Sequence, residues 1–150
     1  MHIFFIIVLF LLAVASLAWG LWRQKRPSLE TKKAMYKSLE ERAKQGDEKA
    51  VYRLAELFYV DHDERFFSLI FKWVSILASQ KKDPAIWLLM GDLYHLGAGT
   101  LRDAKRALSC YEQALSADIV SGRNTDLTPE SHNYLEKQII DLRKEVFQNK

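Results

Sequence analysis

Ala85-Ile86-Trp87-Leu88-Leu89-Met90-Gly91-Asp92-Leu93-Tyr94-His95-Leu96-Gly97-Ala98-Gly99 is the stretch that decides the fold. Asp83-Pro84 precedes it with a capping side chain and a proline suited to the first helical turn. Gly97-Ala98-Gly99 stops it. The apolar residues between recur at helical spacing, so a helix is predicted over residues 84–96. The pattern also repeats. Shifted by 35 positions, Ala43, Ala50, Leu54 and Tyr59 fall on Ala78, Ala85, Leu89 and Tyr94, and Tyr52 falls on Trp87. Past the turn the shift becomes 38, and Leu69, Trp73 and Ile76 fall on Ala107, Tyr111 and Ala114. The change of three is a difference in loop length, because Gly97-Ala98-Gly99 has no counterpart between Val60 and Arg65.

Working outward, helices are predicted over residues 31–45, 48–60, 64–79, 84–96 and 101–117. Thr128-Pro129-Glu130 starts a sixth with a cap, a proline and a first-turn acid. The expected fold is therefore all-α: two helix–turn–helix units, with a half-unit before them and a helix after. Residues 66–78 are apolar at 10 of 13 positions, and Ser68, Lys72, Ser75 and Ser79 form one narrow polar stripe. Such a helix is expected to be buried on several sides, or else to expose a sticky patch. In the last helix Leu135, Ile139, Leu142 and Val146 make a single stripe, as expected of a terminal cap.

Ala85-x-Trp87-x-x-Met90-Gly91-x-x-Tyr94, followed by Ala107-x-x-x-Tyr111-x-x-Ala114, resembles a tetratricopeptide-type repeat. The glycine loop Leu96–Gly99 and the Asp103 that follows resemble the longer Sel-like branch of that superfamily. The resemblance covers about residues 43–117. The first unit departs from the pattern: Glu56 stands where a small residue is expected, and its turn has no glycine. The resemblance implies a short right-handed α-solenoid that binds a peptide or protein along a groove lined by the first helix of each unit. Carried onto this chain, it points to Leu88, Asp92, His95 and Leu96, and in the first unit to Arg53 and Leu57.

At the other end of the chain, residues 1–22 contain no charged side chain, and Arg23, Lys25 and Arg26 follow at once. A helix of that length is roughly 30 Å long, enough to cross the hydrocarbon core of a bilayer. A cleaved signal peptide is the competing reading, but nothing basic precedes the run, and Ala13-Val14-Ala15 lies in its middle. A single transmembrane anchor is thus expected over residues 1–22, a basic linker over 23–30 and the helical repeat domain over 31–150. Positive flanking charge places the domain in the cytoplasm, with the periplasm as the alternative.

The net charge is +3. Residues 23–37 hold six basic side chains and one acid, a net of +5, while the remainder holds 16 basic and 18 acidic, a net of −2. Arg23, Lys25, Arg26, Lys32, Lys33 and Lys37 are accordingly expected to meet anionic lipid headgroups. The domain beyond has no overall cationic field, which argues against nucleic acid as a partner.

No nucleophile–base set can be assembled, so no enzyme and no cofactor are expected. Asp61-His62-Asp63-Glu64 reads as a solvated turn, not as a metal site. The lone Cys110 reads as a core residue. The expected function is a membrane-anchored protein-interaction adaptor. A structural subunit of a membrane machine, packed through small residues such as Ala13, Ala15 and Gly20, stands as the alternative.

Overall fold

The computed structural model describes residues 27–120 and 127–148. Its regular structure is helical: α1 (Leu29–Lys44), α2 (Glu48–Val60), a 3-10 turn (Glu64–Phe66), α3 (Phe67–Gln80), α4 (Pro84–Leu96), α5 (Ala104–Val120) and α6 (Pro129–Gln148). No strand occurs among the described residues. The anchor expected over residues 1–22, the basic Arg23, Lys25 and Arg26, and the loop around residues 121–126 lie outside the described residues. Among the described residues no helix is long and apolar enough to cross a membrane.

The chain forms two compact units, Met1–Met35 and Tyr36–Lys150. The described part of the first carries the opening turns of α1. Ser28 accepts the Thr31 amide at 3.2 Å, and Lys33 pairs with Glu30 at 2.9 Å.

In the second unit α2 packs on α3, α3 on α4, α4 on α5 and α5 on α6. Local chemistry sets their ends. Asp47 and Asp83 cap α2 and α4 through the amides of Lys49 and Ala85. Thr128 caps α6 by accepting the Ser131 amide at 3.2 Å. The expected bounds of α2 and α4 match those observed. Two starts differ. Residues 64–66 form a 3-10 turn capped by Asp63, so α3 begins only at Phe67. The helix expected from Leu101 begins at Ala104, because Asp103 turns its side chain to the Arg106 amide at 3.0 Å.

The turns after α2 and α4 differ as their sequences do. Gly97 takes the left-handed conformation (φ 69°) that ends α4, and the Ala98 amide returns to the Leu93 carbonyl at 2.9 Å. In the first unit His62 takes a positive φ of 46° and its amide returns to Leu57. Gly99 passes so close to α3 that a Cβ there would meet the Phe67 carbonyl oxygen at 2.3 Å. The α4–α5 loop is thereby fixed against the start of α3.

The core runs through the whole unit. Leu54, Val74, Leu93, Tyr111 and Leu135 are fully buried. Helix α3 buries Phe67, Ile70, Val74, Leu77 and Ala78 between α2 and α4. The α6 stripe of Leu135, Ile139 and Leu142 packs on Ala107, Leu108, Tyr111 and Ala114 of α5. Tyr36 stacks on Phe66 with ring centroids 3.7 Å apart and donates to Asp61 at 3.3 Å.

The helix pairs α2–α3 and α4–α5 are not equally tight. A Cβ on Gly91 would lie 2.3 Å from the Tyr111 ring, so only glycine permits α4 and α5 to approach this closely. Glu56 holds the equivalent place in the first unit, where its Cβ forbids such an approach. Trp73, the counterpart of Tyr111, is only half-buried, whereas Tyr111 is fully buried. Gly91→Ala should destabilise the protein by about 1–3 kcal/mol through overpacking, and Glu56→Ala by less than about 0.5 kcal/mol, as at an exposed site. Urea unfolding of the two variants checks this; equal effects would contradict the asymmetry.

Candidate functional site

Helices α2, α4 and α6 are tied to one another through Asp92 of α4. Its carboxylate accepts from the hydroxyls of Tyr59 on α2 at 2.6 Å, Tyr111 on α5 at 2.7 Å and Tyr134 on α6 at 2.9 Å. Asp92 is 5% exposed. Two further links leave α2: Tyr52 donates to Asp83, the cap of α4, at 2.5 Å, and Glu48 pairs with Lys81 at the end of α3.

Burial, reinforced by the Asp92 charge, holds the Tyr59 and Tyr111 hydroxyls far above the ordinary tyrosine range. The same causes push Tyr134 up to about 12. Tyr59 and Tyr134 on Asp92, and Tyr52 on Asp83, keep part of their rings in contact with solvent. The result is a face of rigid aromatic side chains, each amphipathic and already held in one orientation by its hydroxyl.

The six residues expected to line a groove separate into two groups. Arg53 is exposed and pairs with Glu56 at 2.5 Å. His95 is half-buried, its ring 6.5 Å from that of Tyr111. Leu96 is exposed at the end of α4 and lines a hollow of about 500 Å³ with His62, Glu64 and Gly97. Leu88 is half-buried against the α5–α6 cluster.

Leu57 and Asp92 are corrections. Leu57 is 5% exposed and belongs to the core. Asp92 was expected on a solvated inner face, but its oxygens are taken by three tyrosines from neighbouring helices. Those tyrosines were not recognised from the sequence. Tyr59 reads there as a repeat core position matching Tyr94. Tyr134 is separated from Asp92 by 42 positions and carries no local signal.

Larger hollows lie elsewhere. One of about 650 Å³ is lined by Leu115, Ile119, Ile139 and Ile140 with Glu112 and Arg143, and one of about 660 Å³ by Ala78, Lys81, Trp87 and Gln113. Neither includes any of the six expected residues. Asp61 and Asp63 serve Tyr36 and Arg65, and among the described residues no group of three His, Cys, Asp or Glu side chains could hold a metal ion. Cys110 is buried, which pushes its thiol up to about 11.

The tyrosine shifts set a pH dependence. Tyrosine is neutral when protonated, and its folded value lies above the unfolded value of 10. Unfolding therefore releases protons once the pH passes 10. Stability from this cluster should be complete below pH 10 and fall as the pH rises from 10 toward about 12. Denaturant titrations at rising pH, with phenolate absorbance recorded alongside, should show the loss, and Tyr134→Phe should make it shallower. Stability unchanged to pH 12 would contradict the placement of these hydroxyls. No family model, curated protein or solved structure matches the chain.

Proposed function

We propose that the chain is a membrane-anchored adaptor whose helical domain, a short solenoid of Sel-like or tetratricopeptide-like repeats, binds a peptide or protein segment. The observation that carries this reading is the face formed by α2, α4 and α6 around Asp92. It holds Tyr59 and Tyr134 on Asp92 and Tyr52 on Asp83, with Arg53 exposed on α2 and the His95 ring 6.5 Å from that of Tyr111. Tyrosine and arginine are enriched at the centres of protein interfaces, where rigid rings supply area at little entropic cost. The Gly91–Tyr111 contact and the glycine-bearing turn capped by Asp103 support the repeat reading, because each gives a physical role to a residue of the motif.

The anchor reading rests on the charge-free run of residues 1–22, and the positive residues behind it favour a cytoplasmic domain over a periplasmic one. Tethering would raise the effective concentration of the partner at the membrane. In the second reading, a subunit of a larger membrane machine, Ala13, Ala15 and Gly20 allow close contact between spans.

Capture of partners from detergent-solubilised membranes by the full chain tests the binding face. Arg53→Ala, His95→Ala and Tyr52→Ala should each weaken capture by about 1–2 kcal/mol, with the melting temperature of Arg53→Ala and His95→Ala unchanged. Ile119→Ala and Ile140→Ala, in the hollow between α5 and α6, should leave capture intact. The opposite pattern would move the interface to that hollow.

A further inference from the structure

We propose that two copies of the chain dimerise through the groove between α5 and α6, with the two α6 helices packed antiparallel across a twofold axis. This surface is separate from the face around Asp92 and does not rest on that reading. Helix α6 ends the run and packs on α5. The end of a solenoid needs a polar outer face to stay soluble alone. Here Ile140 and Phe147 of α6 are 55% and 63% exposed, and Ile119 of α5 is 68% exposed. Two hollows open beside them. One of about 650 Å³ holds Ile119, Ile139 and Ile140, and one of about 300 Å³ holds Leu108, Val146 and Phe147. Both reach Glu112, so they form one groove, crossed by the bond from Arg143 to Glu112 at 2.7 Å. Exposed apolar side chains gathered in this way mark an interaction surface.

The order of charges along α6 selects a second copy as the occupant. The groove side of the helix carries His132, Glu136, Ile139, Ile140, Arg143 and Phe147. At 3.6 residues per turn these six lie within an arc of about 80° and span about 22 Å of the helix. Tyr134, which donates to Asp92, lies outside that arc. Laid antiparallel on itself, the stripe sets position 136 on 143, 139 on 140 and 132 on 147. The set maps onto itself, as a twofold interface requires. Glu136 of each copy then meets Arg143 of the other, the isoleucines meet at the axis, and Phe147 covers His132 of the second copy. Arg143 lies between two acids, its own Glu112 and the Glu136 opposite. A parallel alignment sets Glu136 on Glu136 and Arg143 on Arg143, which like-charge repulsion opposes. Each α6 also rests in the groove beside α5 of the other copy, so the two helix pairs make a four-helix bundle.

Sedimentation equilibrium of the full chain in micelles of a neutral detergent tests this, with helicity recorded to show that each variant is folded. The chain should be dimeric at micromolar concentration. Ile140→Asp should weaken the dimer about thirty-fold, whereas Ile76→Asp, at an exposed position of α3, should leave it unchanged. Glu136→Arg and Arg143→Glu each set like charges opposite one another and should each weaken it by about tenfold or more. Mixed together, those two variants should form a heterodimer close to the original strength, because every facing pair is again of opposite sign. A chain that stays monomeric leaves the groove to another protein and overturns the proposal. So does a dimer indifferent to Ile140→Asp, since association then runs through residues 1–22 or another face. Two charge variants that each weaken the dimer but fail to pair with one another overturn the antiparallel twofold contact.

Discussion

A carboxylate removed from water must find hydrogen bonds in the protein or cost several kcal/mol. Asp92 finds three, and each comes from a different helix: Tyr59 on α2, Tyr111 on α5 and Tyr134 on α6. Because bonds to a charged acceptor are short and directional, this one group ties three helices to α4. It acts where apolar packing alone specifies little, since α2, α4 and α6 make their extensive contacts with α3 and α5 rather than with one another. The arrangement also carries a penalty if left incomplete, because a single missing helix exposes the carboxylate or strands a hydroxyl.

The second constraint is the close approach of α4 to α5 at Gly91. The space a Cβ would fill is occupied by the Tyr111 ring, and the same tyrosine directs its hydroxyl to Asp92 one residue further on. Packing and hydrogen bonding are thus coupled through one side chain. The first unit has neither device. Glu56 replaces the glycine, Trp73 sits half-exposed with its indole N–H buried and without a hydrogen-bond partner among the described residues, and the turn is closed by His62 in place of glycine. The better-formed half of the domain is the one whose residues match the repeat pattern.

The helices were legible because their signals are local. Caps at Asp83 and Thr128, a stop at Gly97, and a stripe such as Leu135, Ile139 and Leu142 each act within a turn or two of their own position. Composition left α3 either buried on several sides or exposing an apolar patch, and the structure buries Phe67, Ile70, Val74, Leu77 and Ala78 of it. The candidate site was less legible. The repeat resemblance points to Asp92 as a groove residue, yet whether it meets solvent or a neighbour depends on side chains 33 and 42 positions away. Tyr134 has no repeat partner to betray it. Leu57 is buried within the unit although Arg53, one turn earlier on the same assigned face, is exposed.

The central claim is that Asp92 couples α2, α5 and α6 to α4, and native-state hydrogen exchange on the Asp92→Ala chain tests it most directly. The account predicts a loss of about 2–5 kcal/mol, as for a buried group whose partners are left unsatisfied, with protection falling together in α2, α4, α5 and α6. A variant of unchanged stability, or one in which only the amides of α4 around position 92 lose protection, would contradict it.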